Sequence, residues 1–223
     1  MNYWLIALVS LLIGWSTVRL VLWLFPKIGL MDRPHKYGLK RAPIPYYGGW
    51  AIFIAFCVSV CLWLKLDSRL ISLMAIGAGI VLISFWDDYK GIKPIWRLLM
   101  QLVVGVLIYW SGTFVTALPN PIGPEIVLTN FSWGGVMILS LLVTVIWFVL
   151  IMNTVNWIDG LNGLPSGVSA IAFATLFVLS IKPGIHSVDQ TVVAVIGLSM
   201  ALIMLVFCLH DFYPAKLLMG DTG

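Results

Sequence analysis

Residues 134–152 read GGVMILSLLVTVIWFVLIM, and residues 153–159 continue NTVNWID. The first run holds no charge and is long enough, as helix, to cross about 30 Å of hydrocarbon. The second places Asn153, Asn156 and Asp159 at spacing three, a slowly turning polar stripe along one helical face. Polar side chains gathered at the end of an apolar span and aimed one way line a cavity or a site more often than they merely cap a helix. Gly160 then suits a helix C-cap, and Gly163-Leu164-Pro165 suits a new helix with proline in its first turn.

The same pattern recurs along the chain. Of its 223 residues, 61% are apolar and 10% charged, against about 25% charged in an average soluble domain. Apolar blocks fall near 3–25, 46–64, 70–86, 95–111, 134–152, 164–181 and 190–209. The expected fold is all-α, a polytopic transmembrane bundle of about seven spans forming a single membrane-embedded domain over 1–223. The block from Tyr3 to Phe25 lacks a basic leader and a small-residue cleavage site, so it reads as a retained span. Residues 112–133, with Pro119, Pro121, Gly123 and Pro124, read as an irregular outer loop with a short strand at Ile126 to Thr129.

Charge sorts between the two sides. Loops after odd-numbered spans hold Lys27, Arg33, Lys36, Lys40, Arg41, Lys90, Lys93, Arg97 and Lys216; those after even-numbered spans hold Lys65, Arg69 and Lys182. Nine against three puts the odd loops in the cytoplasm and the N-terminus outside. Asp32, Asp87, Asp88, Asp159, Asp211 and Asp221 gather on that same cytoplasmic side. The net charge of +4 does not signal nucleic acid, because the basic residues lie between spans without aromatic interleaving. Cys57, Cys61 and Cys208 read as small core hydrophobes. His35, His186 and His210 are scattered, with no facing pair of the kind that holds haem.

Asp87-Asp88 ends the third block. Two carboxylates at a helix C-terminus oppose the macrodipole, a cost that a bound cation would offset. A solvated helix end before Tyr89-Lys90-Gly91 accounts for the pair equally well. The first loop, Asp32-Arg33-Pro34 through Pro43-Ile44-Pro45-Tyr46-Tyr47-Gly48-Gly49, is stiffened by proline, and its glycine pair permits close backbone approach. Its basic residues suit phosphates, or simply anionic lipid headgroups.

Four stretches together resemble the polyprenyl-phosphate N-acetylhexosamine-1-phosphate transferases. They are Met31-Asp32-Arg33-Pro34 with Pro43 to Gly49, Trp86 to Pro94, Asn153 to Leu164, and Phe212 to Gly223. The Gly91-Ile92-Lys93-Pro94 run is closer to the branch that uses UDP-GlcNAc than to the phospho-MurNAc-pentapeptide translocases. The resemblance implies transfer of a sugar-1-phosphate from a UDP-N-acetylhexosamine to a polyprenyl phosphate, on the cytoplasmic face of a bacterial inner membrane. It implies Mg²⁺, with Mn²⁺ as an alternative ion, and leaves room for a homodimer. Asp87, Asp88, Asp159 and Asp221 are the implied catalytic carboxylates, and the roles of Asp87 and Asp88 are exchangeable. Asp221, Asn156 and Asp88 are the implied metal ligands. Lys40, Arg41, Lys90, Asn153, Asn162 and Leu218 are candidate substrate contacts.

The sequence departs from the family pattern at four places. Asn162 stands where a second aspartate is common, Leu218 where an aromatic residue usually precedes Met-Gly-Asp, Asp211 in place of an asparagine, and Lys40 in place of a histidine. The family's fourth motif continues with serine and further spans, so the chain is expected to be the front part of a ten- or eleven-span enzyme, inactive by itself. Three rivals deserve comparison. A transporter would place carboxylates nearer mid-membrane. An intramembrane aspartyl protease needs a partner Tyr-Asp within a span, which is absent. A catalytically inactive relic of the family is the third.

Overall fold

In the computed structural model, residues 2–38, 40–182, 189–220 and 222–223 are described. Asp221 and His186 lie outside them. Seven α-helices make up most of that chain: α1 Tyr3–Ile28, α2 Gly49–Trp63, α3 Ser68–Lys90, α4 Pro94–Trp110, α5 Ile138–Ile158, α6 Leu164–Ser180 and α7 Thr191–Asp211. The fold is the expected all-α membrane bundle. Four helices (Tyr3–Ile28, Ser68–Asp88, Ile138–Ile158 and Thr191–Asp211) are long and apolar enough to cross a membrane; α2, α4 and α6 are shorter and equally apolar.

Local chemistry sets the ends. The Asn2 and Asp67 side chains accept the backbone N–H of Leu5 and Leu70 and so open α1 and α3. Pro94 and Pro165 occupy the first turns of α4 and α6, where a missing N–H costs nothing. Gly29 closes α1 at φ 77°.

Packing centres on α1, α2 and α7, where Val18, Val21 and Phe25 meet Ala51, Ala55, Ile203 and Phe207. Lipid tails are as apolar as leucine, so close approach of backbones must hold such helices together. Small residues supply it at three crossings. A Cβ on Gly14 would lie 3.2 Å from the Ile203 Cα, one on Gly105 3.0 Å from the Val145 Cα, and one on Gly197 3.0 Å from the Phe177 nitrogen. Ser10 also donates to Ser199 across the buried α1–α7 seam at 3.0 Å.

Several expectations shift in detail. Helices α3, α5 and α7 run past the apolar blocks to Lys90, Ile158 and Asp211, so the polar motifs ride on the last helical turns. The connection between α4 and α5 is more ordered than expected: β1 Ala117–Leu118 pairs with β2 Ile126–Val127, and β3 Ser132–Trp133 with β4 Val136–Met137. Asp159, and not Gly160, is the C-cap of α5. Cys61 is exposed and Cys57 and Cys208 only half-buried, so the cysteines are not core residues; all three are free thiols.

Candidate active site

A cavity of about 350 Å³ opens where one face each of α3, α4 and α5 meets Met219, Gly220, Thr222 and Gly223. The periodicities that build it are readable: Ile80, Ile83, Ser84 and Asp87 on α3, Arg97, Gln101, Val104 and Ile108 on α4, and Phe148, Met152, Val155, Asn156 and Asp159 on and at the end of α5. Each set follows the three- and four-residue spacing of a single helical face. The apolar members lie deep along the helices, and the polar members at the end that carries the connecting loops.

Asp87 is 6% exposed. Arg97 donates to its Oδ2 at 2.6 Å, and the Ile92 amide donates to its Oδ1 at 2.6 Å. Its backbone carbonyl accepts from Gly91, the residue that closes α3. A solvated helix end is therefore the wrong reading: the α3–α4 turn folds back so that the first turn of α4 neutralises the last turn of α3. Asn156 and Asp159 face the same cavity.

Asp88 points to a different neighbour. The Tyr46 hydroxyl donates to its Oδ1 at 3.3 Å. Gly220, at φ 68°, lies against both: a Cβ there would meet Tyr46 Cζ at 3.1 Å and Asp88 Oδ2 at 3.3 Å. The first loop and the fourth motif are also joined by backbone. Gly48 and Gly49 donate to the Leu218 and Met219 carbonyls, and Leu218 donates to Pro45. The glycine pair is needed here, since a Cβ on Gly48 would sit 2.7 Å from the Leu218 oxygen and one on Gly49 would strike the Thr222 carbonyl. Gly220 and Thr222, which flank Asp221, line the cavity.

The structure thus brings Asp87, Asn156, Asp159 and the residues around Asp221 to one cavity, with Asp88 beside it. The other candidates lie elsewhere. Asn153 donates to Gln101 Oε1 at 2.7 Å and to the Val149 carbonyl, so it holds a cavity residue without lining the cavity. Asn162 is exposed and Leu218 half-buried. Lys40 is exposed, Arg41 is drawn to Asp32, and the Lys90 ammonium lies 4.1 Å from the Trp86 ring centroid. None of these five lines the cavity.

Arg97 is the residue that sequence reasoning missed as a site group. Its signal was present: a cation in the first turn of a helix opposes the macrodipole, and with Gln101 it forms an i,i+4 polar pair on an otherwise apolar helix. Asp211 also finds a role. Buried to 2%, it accepts the Gly163 amide at 3.0 Å and the Ser166 hydroxyl at 2.9 Å. It therefore caps α6 from α7 and ties the loop after Asp159 to the segment that leads to Gly220.

These four converging segments are the ones that carry the family resemblance, and residues 70–223 match the family described as glycosyl transferase family 4. The chain belongs to this family. It is 31% identical over 200 residues to a Bacillus subtilis protein named probable undecaprenyl-phosphate N-acetylglucosaminyl 1-phosphate transferase, covering 88% of this chain and 52% of that protein. It is 32% identical over 235 residues to the phospho-N-acetylmuramoyl-pentapeptide-transferase of Gloeothece citriformis, covering 95% and 58%. The Staphylococcus carnosus protein of the same name is 28% identical over 196 residues, covering 83% and 59%. The chain spans little more than half the length of these family 4 relatives.

Proposed function

We propose that the complete protein transfers a sugar-1-phosphate from a UDP-N-acetylhexosamine to a polyprenyl phosphate. The observation that carries this reading is the cavity itself: one cation and a ring of oxygen donors at the end of an apolar, membrane-length bundle. Such a place suits a reaction between a lipid that stays in the membrane and a nucleotide that stays in water. A phosphate oxygen of the lipid attacks the β-phosphorus of the nucleotide sugar. A new P–O bond forms, the bond from that phosphorus to the bridging oxygen breaks, and UMP leaves with the electron pair.

Among the described residues, every polar side chain lining the cavity apart from Arg97 offers an oxygen donor: Ser84, Asp87, Gln101, Asn156, Asp159 and Thr222. That donor set fits Mg²⁺, which takes a few protein oxygens and otherwise waters and phosphates. Asn156, in the cavity wall, would hold the ion together with the two other ligands that the resemblance implies, Asp88 beside the cavity and Asp221, and Mn²⁺ would take the same ligands. When bound, it would neutralise charge on the diphosphate and the leaving UMP. Asp87 deprotonates or orients the lipid phosphate, a role exchangeable with that of Asp88. Asp159 shapes the nucleotide side. Arg97 is the nearest cation for a phosphate, and Lys40, Arg41 and Lys90 would have to swing inward to contribute.

The topology belongs to the same reading: seven spans, N-terminus outside, the cavity mouth on the cytoplasmic face of a bacterial inner membrane. The Gly91-Ile92-Lys93-Pro94 run and the Bacillus subtilis relative favour GlcNAc-1-phosphate as the transferred group. The test is to supply the complete protein with undecaprenyl phosphate, Mg²⁺, and radiolabelled UDP-GlcNAc or UDP-MurNAc-pentapeptide. Labelled lipid from UDP-GlcNAc alone is expected. Labelled lipid from the pentapeptide donor alone would move the chain to the other branch, and none from either would refute transfer.

A further inference from the structure

Gln101 lies one helical turn beyond Arg97 on α4, in the wall of the same cavity, and is only 8% exposed. The next members of that wall on α4, Val104 and Ile108, are apolar. A buried carboxamide is costly in such a place unless hydrogen bonds compensate its lost hydration. It has two N–H donors and an oxygen with two lone pairs. One lone pair is taken, by Asn153.

That bond decides which way the amide turns. The Asn153 side chain lies 2.8 Å from the Val149 carbonyl. A carbonyl only accepts, so the Asn153 atom placed there is its nitrogen. The same nitrogen lies 2.7 Å from Gln101. It can only donate, so Gln101 must present its oxygen to Asn153. The Gln101 NH2 is thereby turned away from Asn153, and of the two residues it is Gln101 that lines the cavity. No acceptor for that NH2 is found among the described residues.

We propose that the Gln101 amide donates a hydrogen bond to the phosphate of the lipid acceptor, with Asn153 as the positioning residue that holds it in this orientation; the proposal rests on the transferase reading above. Residues four apart on a helix have Cβ atoms about 5–6 Å apart, so Arg97 and Gln101 can reach oxygens of one phosphate. Donors are needed there, because Asp87 and Asp159 line the cavity and repel an anion, and the Arg97 guanidinium is shared with Asp87. Depth selects the substrate. Gln101 stands where the polar end of the cavity gives way to its apolar wall, which is where a phosphate carried on hydrocarbon would stop. The nucleotide enters from the loop end, nearer Asp159.

The experiment uses the complete protein in nanodiscs. It measures binding of undecaprenyl phosphate and of undecaprenol, which lacks the phosphate, together with acceptor and donor KM. Gln101→Glu is the informative variant, because it keeps an oxygen for Asn153 and replaces the NH2 by a second oxygen. It should weaken undecaprenyl phosphate binding and raise the acceptor KM by at least about tenfold. Undecaprenol binding, donor KM and thermal unfolding should not move. Gln101→Met, uncharged and similar in length, should raise the acceptor KM about tenfold, equivalent to about 1.4 kcal/mol. Asn153→Ala should raise it less, and should add nothing in the Gln101→Met background.

An unchanged acceptor KM in both Gln101 variants overturns the contact and leaves Gln101 a tie between α4 and α5; transfer by the same preparations then leaves the transferase reading standing. A rise in Gln101→Glu alone also overturns it, as repulsion by the new charge. A rise in donor KM in place of acceptor KM overturns it too, by moving the amide to the nucleotide. Weakened undecaprenyl phosphate binding in both variants of a protein that transfers no sugar phosphate keeps the contact and overturns the transferase reading instead.

Discussion

At the residue scale, the Asp87–Arg97 pair governs the site. Arg97→Ala would leave a buried carboxylate that, among the described residues, keeps the Ile92 amide. Because the Arg97 side chain is 39% exposed, water screens part of the loss, and about 1–2 kcal/mol of stability is expected to go. Transfer should fall on the order of a hundredfold, as for loss of one charge-stabilising donor, with partial recovery in Arg97→Lys; initial rates of UMP release would check this. Asp211→Ala should cost about 1–3 kcal/mol, since the Gly163 amide and Ser166 hydroxyl lose their buried acceptor. Asp211→Asn, which keeps an acceptor oxygen, should cost less, and thermal unfolding in detergent would separate the two. The carboxylates themselves were legible in the sequence, because charge is conspicuous in an apolar chain. Their partners were not. Arg97 hid among the basic loop residues, and the nine residues between it and Asp87 give no hint that the turn closes on itself.

At the element scale, approach distance is the controlling variable. Gly48 and Gly49 let the first loop lie against Leu218, Met219 and Thr222, and alanine at either position must push those residues away. We expect Gly49→Ala to insert normally yet lose most transfer, because Gly220 and Thr222 would leave the cavity wall. Protease protection in membranes, measured beside activity, would show whether the loss is local. Gly105→Leu at the α4–α5 crossing should cost about 1–3 kcal/mol by overpacking and lower thermal stability accordingly. Helix positions were legible because each apolar block has the length of a helix. Their ends were legible to within a few residues: the polar stripe was expected on α5 with Gly160 as its cap and Asp87-Asp88 at the end of α3, whereas the cap of α5 is Asp159 and α3 continues to Lys90. The expected polar stripe was real, but it divides. Asn156 and Asp159 meet the cavity, whereas Asn153 turns to Gln101, a distinction that depends on where α4 lies.

At the scale of the whole molecule, the bundle gathers four separated motifs at one end of its helices and leaves long apolar surfaces elsewhere. The continuous apolar blocks made that architecture legible, since backbone in lipid must be satisfied within helices or a closed barrel, and barrel strands would alternate apolar with polar residues. The proposed orientation predicts that single cysteines placed at Lys93 and Lys216 are reached only from the cytoplasmic side, and one at Lys65 only from outside, when all native cysteines are removed. Labelling of all three from one side would contradict it. In the proposed reaction Asp87, set in the cavity beside Arg97, serves transfer of a sugar phosphate to a lipid phosphate. The most direct measurement is Mg²⁺-dependent formation of prenyl-diphosphate sugar and UMP by the complete protein, compared with Asp87→Asn at equal membrane abundance. Robust formation is expected in the wild type, with a loss of at least about a hundredfold in the variant. Equal formation by both proteins would contradict it.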